Sequence, residues 1–295
     1  MRNKILYVYT ENLNFFYRLN KELIRYNIKF EILQSKIPKI PSIILTTSEE
    51  KEKLQSTFGN LIYISYSKDD NFNHYILKVL ASNRIQYKNN YSELTFAIDP
   101  GIKHIGIVTF LDDYYLISHT IYDKKDFIAL IKDYVLCFQK KNEDLMKLIF
   151  KFGGGVVPIT TNLINKVYNY FKSRMKMKVF LIDESKSSKI KIKDKRKRLK
   201  TTHEASALLL ALRDGIEINE MNFYKLNKEY RLQKLNNKKM FEDANEKSNE
   251  LKMELHEIIE RILNGQISLS KASILAKDTI NNLNSKRQKI LIIEQ

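Results

Sequence analysis

The stretch Thr95–Phe110, "TFAIDPGIKHIGIVTF", constrains the fold more than any other part of the chain. Two apolar runs rich in β-branched and aromatic residues flank a Pro-Gly pair, which reads as two strands joined by a turn. The first run delivers one carboxylate, Asp99, into that turn, with Phe96, Ile98, Ile105 and Ile107 around it. An ionised side chain in such a strand costs on the order of several kcal/mol unless something positive meets it. A metal ion would meet that need. Asp-Pro-Gly is also a good turn sequence in any protein, so turn formation stands beside the metal reading.

The pattern around this stretch predicts three parts. Residues 1–90 alternate strand and helix: "KILYVYT", a helix over "NLNFFYRLNKELIRYN" with apolar Leu13, Phe16, Leu19, Leu23 and Ile24, "KFEIL", then "PSIILTT" running into an acidic helix capped at Ser48, and "NLIYISY". This reads as a small α/β, Rossmann-like domain without a Gly-rich phosphate loop. Residues 91–218 read as strand, turn, strand, a third strand "YYLISHTIY", a helix from about Lys124 to Lys140, a strand "LMKLIFKF", a helix over "TTNLINKVYNYFKSRM", a strand "KVFLIDE" and a helix "THEASALLLALRDG". Three strands in meander followed by alternating helix and strand is the order of an RNase H-like fold. Residues 219–295 are charged and helical. Leu251, Leu255, Ile258, Ile259 and Ile262 line one helix face, Gly265 breaks the helix and Ser268 caps a second. The expectation is a helical hairpin or coiled-coil arm that packs on the rest or forms a homodimer.

Charge points to a polyanion. Lys and Arg total 51 against 34 Asp and Glu, a formal +17, and the pI is about 9.6. Nine of the basic residues fall in Lys186–Lys200, "KSSKIKIKDKRKRLK", against one acid. Lys186, Lys189, Lys191, Lys193, Lys195, Arg196, Lys197, Arg198 and Lys200 are candidate phosphate contacts, joined by Lys103 and His104 in the turn after Asp99. The single cysteine, Cys137, excludes an intramolecular disulfide and sits among apolar neighbours as a core residue. No uncharged apolar run approaches the length of a membrane span, and the expected location is the cytoplasm. "FGGGVVPITTN" is a crossover loop whose glycines and whose capping Thr160 or Thr161 also suit a phosphate.

Carboxylates close three elements of the middle part: Asp99, then Asp183 and Glu184 in "FLIDESKSS", then His203 and Glu204 in "TTHEASALLLALR". Paired hard cations need carboxylates converging from separate elements. Here "IDPGIKHIGIV" resembles the first motif of the RuvC and YqgF group of RNase H-like nucleases. "LIDESKSS" resembles the strand end of the YqgF branch, and "HEASALLLALRDG" the closing helix. The resemblance spans about Leu94 to Gly215. It implies a RuvC/YqgF-type nuclease cutting structured nucleic acid, branched DNA of the Holliday-junction kind or structured RNA, with two Mg²⁺ or Mn²⁺ ions. Asp99, Glu184 and Glu204 would be ligands and His203 would assist in proton transfer or ligation. At the family's third acid, alignment on the Ala and Leu residues puts His203 or Ser206, which leaves open an inactive scaffold that keeps the fold and binds nucleic acid. An actin-like ATPase also uses a phosphate-binding strand-turn-strand, but it needs two RNase H-like lobes and one fits.

Overall fold

A computed structural model describes residues 5–34, 42–59, 61–85, 87–88, 90–139, 146–171, 174, 176–183, 198–219 and 249–279. The chain divides into two compact units. One comprises residues 1–91 and 131–143, the other 92–130 and 144–295.

In the first unit, β1 (Leu6–Val8), β2 (Glu31–Ile32), β3 (Ile43–Thr47) and β4 (Ile62–Tyr66) form a parallel sheet in the order β2-β1-β3-β4. Helices α1 (Leu13–Arg25), α2 (Ser48–Phe58) and α3 (Phe72–Arg84) connect and follow these strands. The strand β3 reads as a continuous apolar run because it is buried along its whole length. Helix α1 buries Phe15, Leu19 and Leu23, a stripe at four-residue spacing, and leaves Leu13 and Ile24 exposed on its flanks. The cap of α2 is Thr47, one residue before the expected Ser48, because Glu50 completes a capping box with it. Cys137, in the later part of helix α4 (Asp126–Gln139), is buried, and burial pushes its thiol up to about 12. It is protonated and inert at neutral pH.

The second unit holds a six-stranded mixed sheet in the order β10-β9-β8-β5-β6-β7. Its strands are β5 (Glu93–Pro100), β6 (Ile105–Leu111), β7 (Tyr114–Ile121), β8 (Lys147–Gly153), β9 (Met177–Ile182) and β10 (Ile216–Ile218). β5, β6 and β7 are an antiparallel meander, and β8 and β9 add in parallel to β5. The β6–β7 connection is two residues, Asp112 and Asp113, both at positive φ (45° and 73°), the backbone a tight hairpin requires. Helices α5 (Val157–Phe171) and α6 (Thr202–Ala211) complete the crossovers. The order is the meander followed by alternating helix and strand that the sequence predicts.

Alternation along β5 assigns the faces. Phe96 stacks on Phe150, which in turn contacts Phe152 and Phe171, so one face is an aromatic layer under α5. Ala97 lies on the other face, with Val108 and Phe110, in a core shared with Ala207, Leu208 and Ala211 of α6. Two C-terminal helices close the same core: α7 (Asn249–Leu263) and α8 (269–279). Leu255, Ile258, Ile259 and Ile262 of α7 are all buried there. The apolar stripe expected to seek a partner is therefore covered by the chain's own sheet. No homodimer is needed to shield it. Gly265, at φ 66°, turns the chain, and Ser268 accepts from the amide of Lys271 at the start of α8. The amide of Ser270 reaches back to the Asp113 carboxylate at 3.1 Å, so a hairpin-turn aspartate caps this helix.

The packing predicts unequal sensitivity along these helices. Ile259→Ala empties a fully buried site and should cost about 2–5 kcal/mol in chemical denaturation. Ile274→Ala, at a position 59% exposed, should change stability by no more than about 0.5 kcal/mol.

Candidate functional site

Asp99 stands near the carboxyl end of β5, on the face that carries Ala97 and α6. Its carboxylate oxygen Oδ2 is 2.7 Å from Nδ1 of His203, in the first turn of α6. The Asp99 side chain is 14% exposed and that of His203 33%. Burial pushes the Asp99 carboxyl above its ordinary value, and the hydrogen bond and charge of His203 oppose that push without cancelling it. With the carboxylate ionised, Nδ1–H of a neutral His203 donates to Asp99 and leaves Nε2 as the acceptor or ligand atom.

The pair can form because α6 lies directly on the strand. Gly106, paired with Asp99 across β5 and β6, would place an added Cβ 2.1 Å from the His203 carbonyl oxygen and 2.8 Å from the Glu204 amide. Gly101 would place one 2.6 Å from Cε1 of His203. Any larger residue at either position displaces the helix start or the imidazole. His104, in the same turn, sets its ring 6.1 Å from that of His203 and 4.7 Å from that of Tyr122, edge-on in both cases.

Glu204 faces a different set of groups. It is fully buried, and its carboxylate accepts from the Thr120 hydroxyl at 2.7 Å, the Ser118 hydroxyl at 2.7 Å and the Lys200 amide at 2.9 Å. Thr201 caps the helix by accepting from the Glu204 amide at 3.2 Å, and its hydroxyl is 2.7 Å from that of Thr120. Three of these bonds fix the start of α6 to β7. The far end of the helix is fixed too, since Lys151 of β8 donates to the carbonyls of Ala211 at 2.6 Å and Arg213 at 2.9 Å. Burial lowers the Lys151 ammonium from its usual value, with Asp214 and Asp113 acting against that.

Of the remaining candidates, Asp183 follows the end of β9 and accepts at its backbone carbonyl from Arg213 at 2.7 Å. Glu184 and the basic residues Lys186, Lys189, Lys191, Lys193, Lys195, Arg196 and Lys197 lie outside the described residues. Lys103 and Lys200 are exposed. Arg198 is turned inward: its guanidinium bonds Glu260 at 2.7 Å and Asn264 at 2.8 Å on α7, with its side chain 8% exposed. Thr160 is not a cap but lies inside α5, donating to the carbonyl of Gly153 at 2.9 Å, and the Gly154 amide donates to Ile182. Among the described residues no three His, Cys, Asp or Glu side chains gather closely enough to hold an ion. No helix among them is long and apolar enough to cross a membrane.

Sequence reasoning passed over the residues that build the platform. Gly106 lies within the quoted motif without a role of its own there, and Ser118 and Thr120 are not singled out within the strand "YYLISHTIY". Their signal was periodic: two hydroxyls on one face of an apolar strand need an acceptor, and Glu204 supplies it.

Two consequences can be measured. Gly106→Ala should lose at least about 2 kcal/mol in denaturation, because backbone rather than a flexible side chain blocks the new methyl. Asp99→Asn keeps an oxygen acceptor for His203 and removes a buried charge. Since the folded-state carboxyl is raised, the folded protein binds its proton more tightly than the unfolded chain, and ionisation weakens the fold as pH rises through that window. The variant should therefore melt above the wild type at pH 7, by roughly 2–4 °C for each kcal/mol relieved, and the gap should close at pH values low enough to protonate Asp99 in both states.

No protein-family model matches the chain, and no curated protein matches its sequence. Solved structures do match it. One is a chain of "Crystal structure of Aa-Ago with externally-bound siRNA", at 13% identity, covering 61% of this chain with a TM-score of 0.21. The match takes in only 34% of that chain's length. At that TM-score it adds nothing to the strand order, and the six-stranded mixed sheet with α6 across its meander stands on its own topology.

Proposed function

We propose that the second unit is an RNase H-like domain acting as a divalent-metal-dependent nuclease of RuvC/YqgF type on structured nucleic acid. The observation that carries the reading is the Asp99–His203 pair: a buried carboxylate near the carboxyl end of the central strand of a β10-β9-β8-β5-β6-β7 sheet, met by an imidazole from the helix packed on that strand. The parallel strands β5, β8 and β9 all end on this edge, and register puts Ile98, Phe152 and Leu181 in one row across it. Asp99 stands just beyond that row in β5 and Asp183 follows the end of β9, and the sequence continues into Glu184, outside the described residues.

Asp99 and the acids after β9 offer the oxygen that hard cations take, with no three such side chains meeting among the described residues. Asp99 has one carboxylate oxygen on His203 and a second for an ion, Glu184 would supply further oxygen, and His203 offers Nε2. Glu204 would have to surrender its bonds to Ser118 and Thr120 to join them, so its role is to hold the helix that carries His203. Bound Mg²⁺ or Mn²⁺ would polarise the phosphodiester and lower the pKa of the attacking water. With Nε2 left off the ions, His203 would instead take the proton of the attacking water there as its oxygen adds to phosphorus, while the P–O bond to the leaving oxygen breaks and that oxygen is protonated. The basic run from Lys186 would neutralise phosphates, apart from Arg198, which the fold already uses.

A second reading has its own support. With His203 rather than an acid beside Asp99, the site has one fewer anionic ligand than two ions favour, which suits a nucleic-acid-binding scaffold. Labelled junctions, flaps, duplexes and hairpin RNAs incubated with Mg²⁺ or Mn²⁺ separate the two. Cleavage that falls at least about a hundredfold in Asp99→Asn, with binding retained, is the expected result. Replacing Lys195, Arg196 and Lys197 with Ala should lower affinity and reduce the slope of log K against log salt by up to about one per lost contact. Binding without cleavage in either ion would favour the scaffold, and no binding at all would remove both readings.

A further inference from the structure

We propose that Tyr122 is a stacking platform for an unpaired nucleobase beside the Asp99–His203 site, so that the strand presented to this site is single-stranded at that point. The proposal rests on the nucleic-acid reading above and adds to it the state of the substrate. Tyr122 directly follows β7 and is 69% exposed, yet its ring is not adrift. His104 packs against it with ring centroids 4.7 Å apart at 69°. The same His104 ring lies 6.1 Å from His203, which holds Asp99 at 2.7 Å. A continuous line of side chains therefore runs from the carboxylate to an aromatic ring open to solvent.

An aromatic side chain fixed in orientation and open on a face loses little freedom when a flat ligand lies on it. The surroundings match a nucleotide strand rather than an apolar peptide. Lys103 is exposed in the turn that carries His104, and Lys125 is exposed three residues beyond Tyr122. These two ammonium groups can meet phosphates, while the exposed Asp123 and Asp126 beside Lys125 keep the patch from being uniformly basic. Ile102, in that same turn, is 73% exposed. Stacking on one ring with flanking cations is how proteins hold single strands without reading sequence, whereas a closed duplex hides its base faces. Tyr122 thereby selects loops, flaps or the open arms of a junction.

The test uses the full chain in buffer without divalent ions, so that affinity is read apart from cleavage. Its ligands are oligo(dT), oligo(dU), oligo(U), an abasic oligomer of the same length and charge, and a blunt duplex. Tyr122→Ala should weaken oligo(dT) or oligo(U) roughly five- to a hundredfold, the effect of losing one base–aromatic stack. It should leave the abasic oligomer within about twofold, and Tyr122→Phe should bind like the wild type. Because the chain contains no tryptophan, Tyr122→Trp introduces a single reporter whose emission should be quenched by base-bearing single strands and not by the abasic oligomer. Comparing oligo(dU) with oligo(U), which differ only in the 2′-hydroxyl, identifies the sugar. Equal loss for base-bearing and abasic oligomers, no loss at all, or no binding of any oligomer by the wild type would overturn the proposal. Absence of cleavage with Mg²⁺ or Mn²⁺ would count against the nuclease reading alone.

Discussion

The seating of α6 on the meander is the contact on which the rest of the second unit depends. A ten-residue helix that is apolar on most of its surface cannot persist in water, and here it is clamped at both ends by charge. Lys151 takes the carbonyls at one end, where the helix dipole is negative, and Glu204 ties the other to the hydroxyls of β7. Neither charged group is a luxury. Each sits where desolvation is expensive, and each is compensated by partners that exist only when helix and sheet are in register. The clamp therefore specifies position as much as it stabilises, and position is what brings His203 to Asp99.

That arrangement explains why neighbouring polar residues in one sequence motif have different roles. His203 and Glu204 are consecutive, so on a helix they point about a third of a turn apart. The first reaches across Gly106 toward β5, and the second drops into the hydroxyl pair on β7. A carboxylate in the place of His203 would face Asp99 at hydrogen-bond distance and repel it without an ion between them. The imidazole removes that repulsion and meets Asp99 with a hydrogen bond instead.

Much of this was legible from residues alone. The three-strand meander, the later parallel strands and the helix opening at His203 all followed from period-two and period-3.6 patterning around Asp99, because those elements bury nearly continuous apolar runs. The flank positions of α1 misled, since Leu13 and Ile24 are apolar yet exposed, and periodicity alone does not say where a stripe ends. The capping of α2 shifted by one residue because Glu50 recruits Thr47 rather than Ser48, a choice between adjacent hydroxyls that spacing to the acid decides. The inward turn of Arg198 was invisible for a different reason: within a run of basic residues, nothing local distinguishes the one that meets Glu260 some sixty positions later. The α7 stripe was plain in sequence, but its partner, the Val108 and Phe110 face, could be known only from topology.

The contact between Asp113 and the start of α8 joins residues 157 apart in the chain. During synthesis at about 5–20 residues per second, the meander is finished roughly 8–30 s before the helices that cover it are made. Until α7 and α8 are made, the Val108 and Phe110 face has only α6 to cover it. Truncated products of the same message that end before α7 would carry that apolar face permanently.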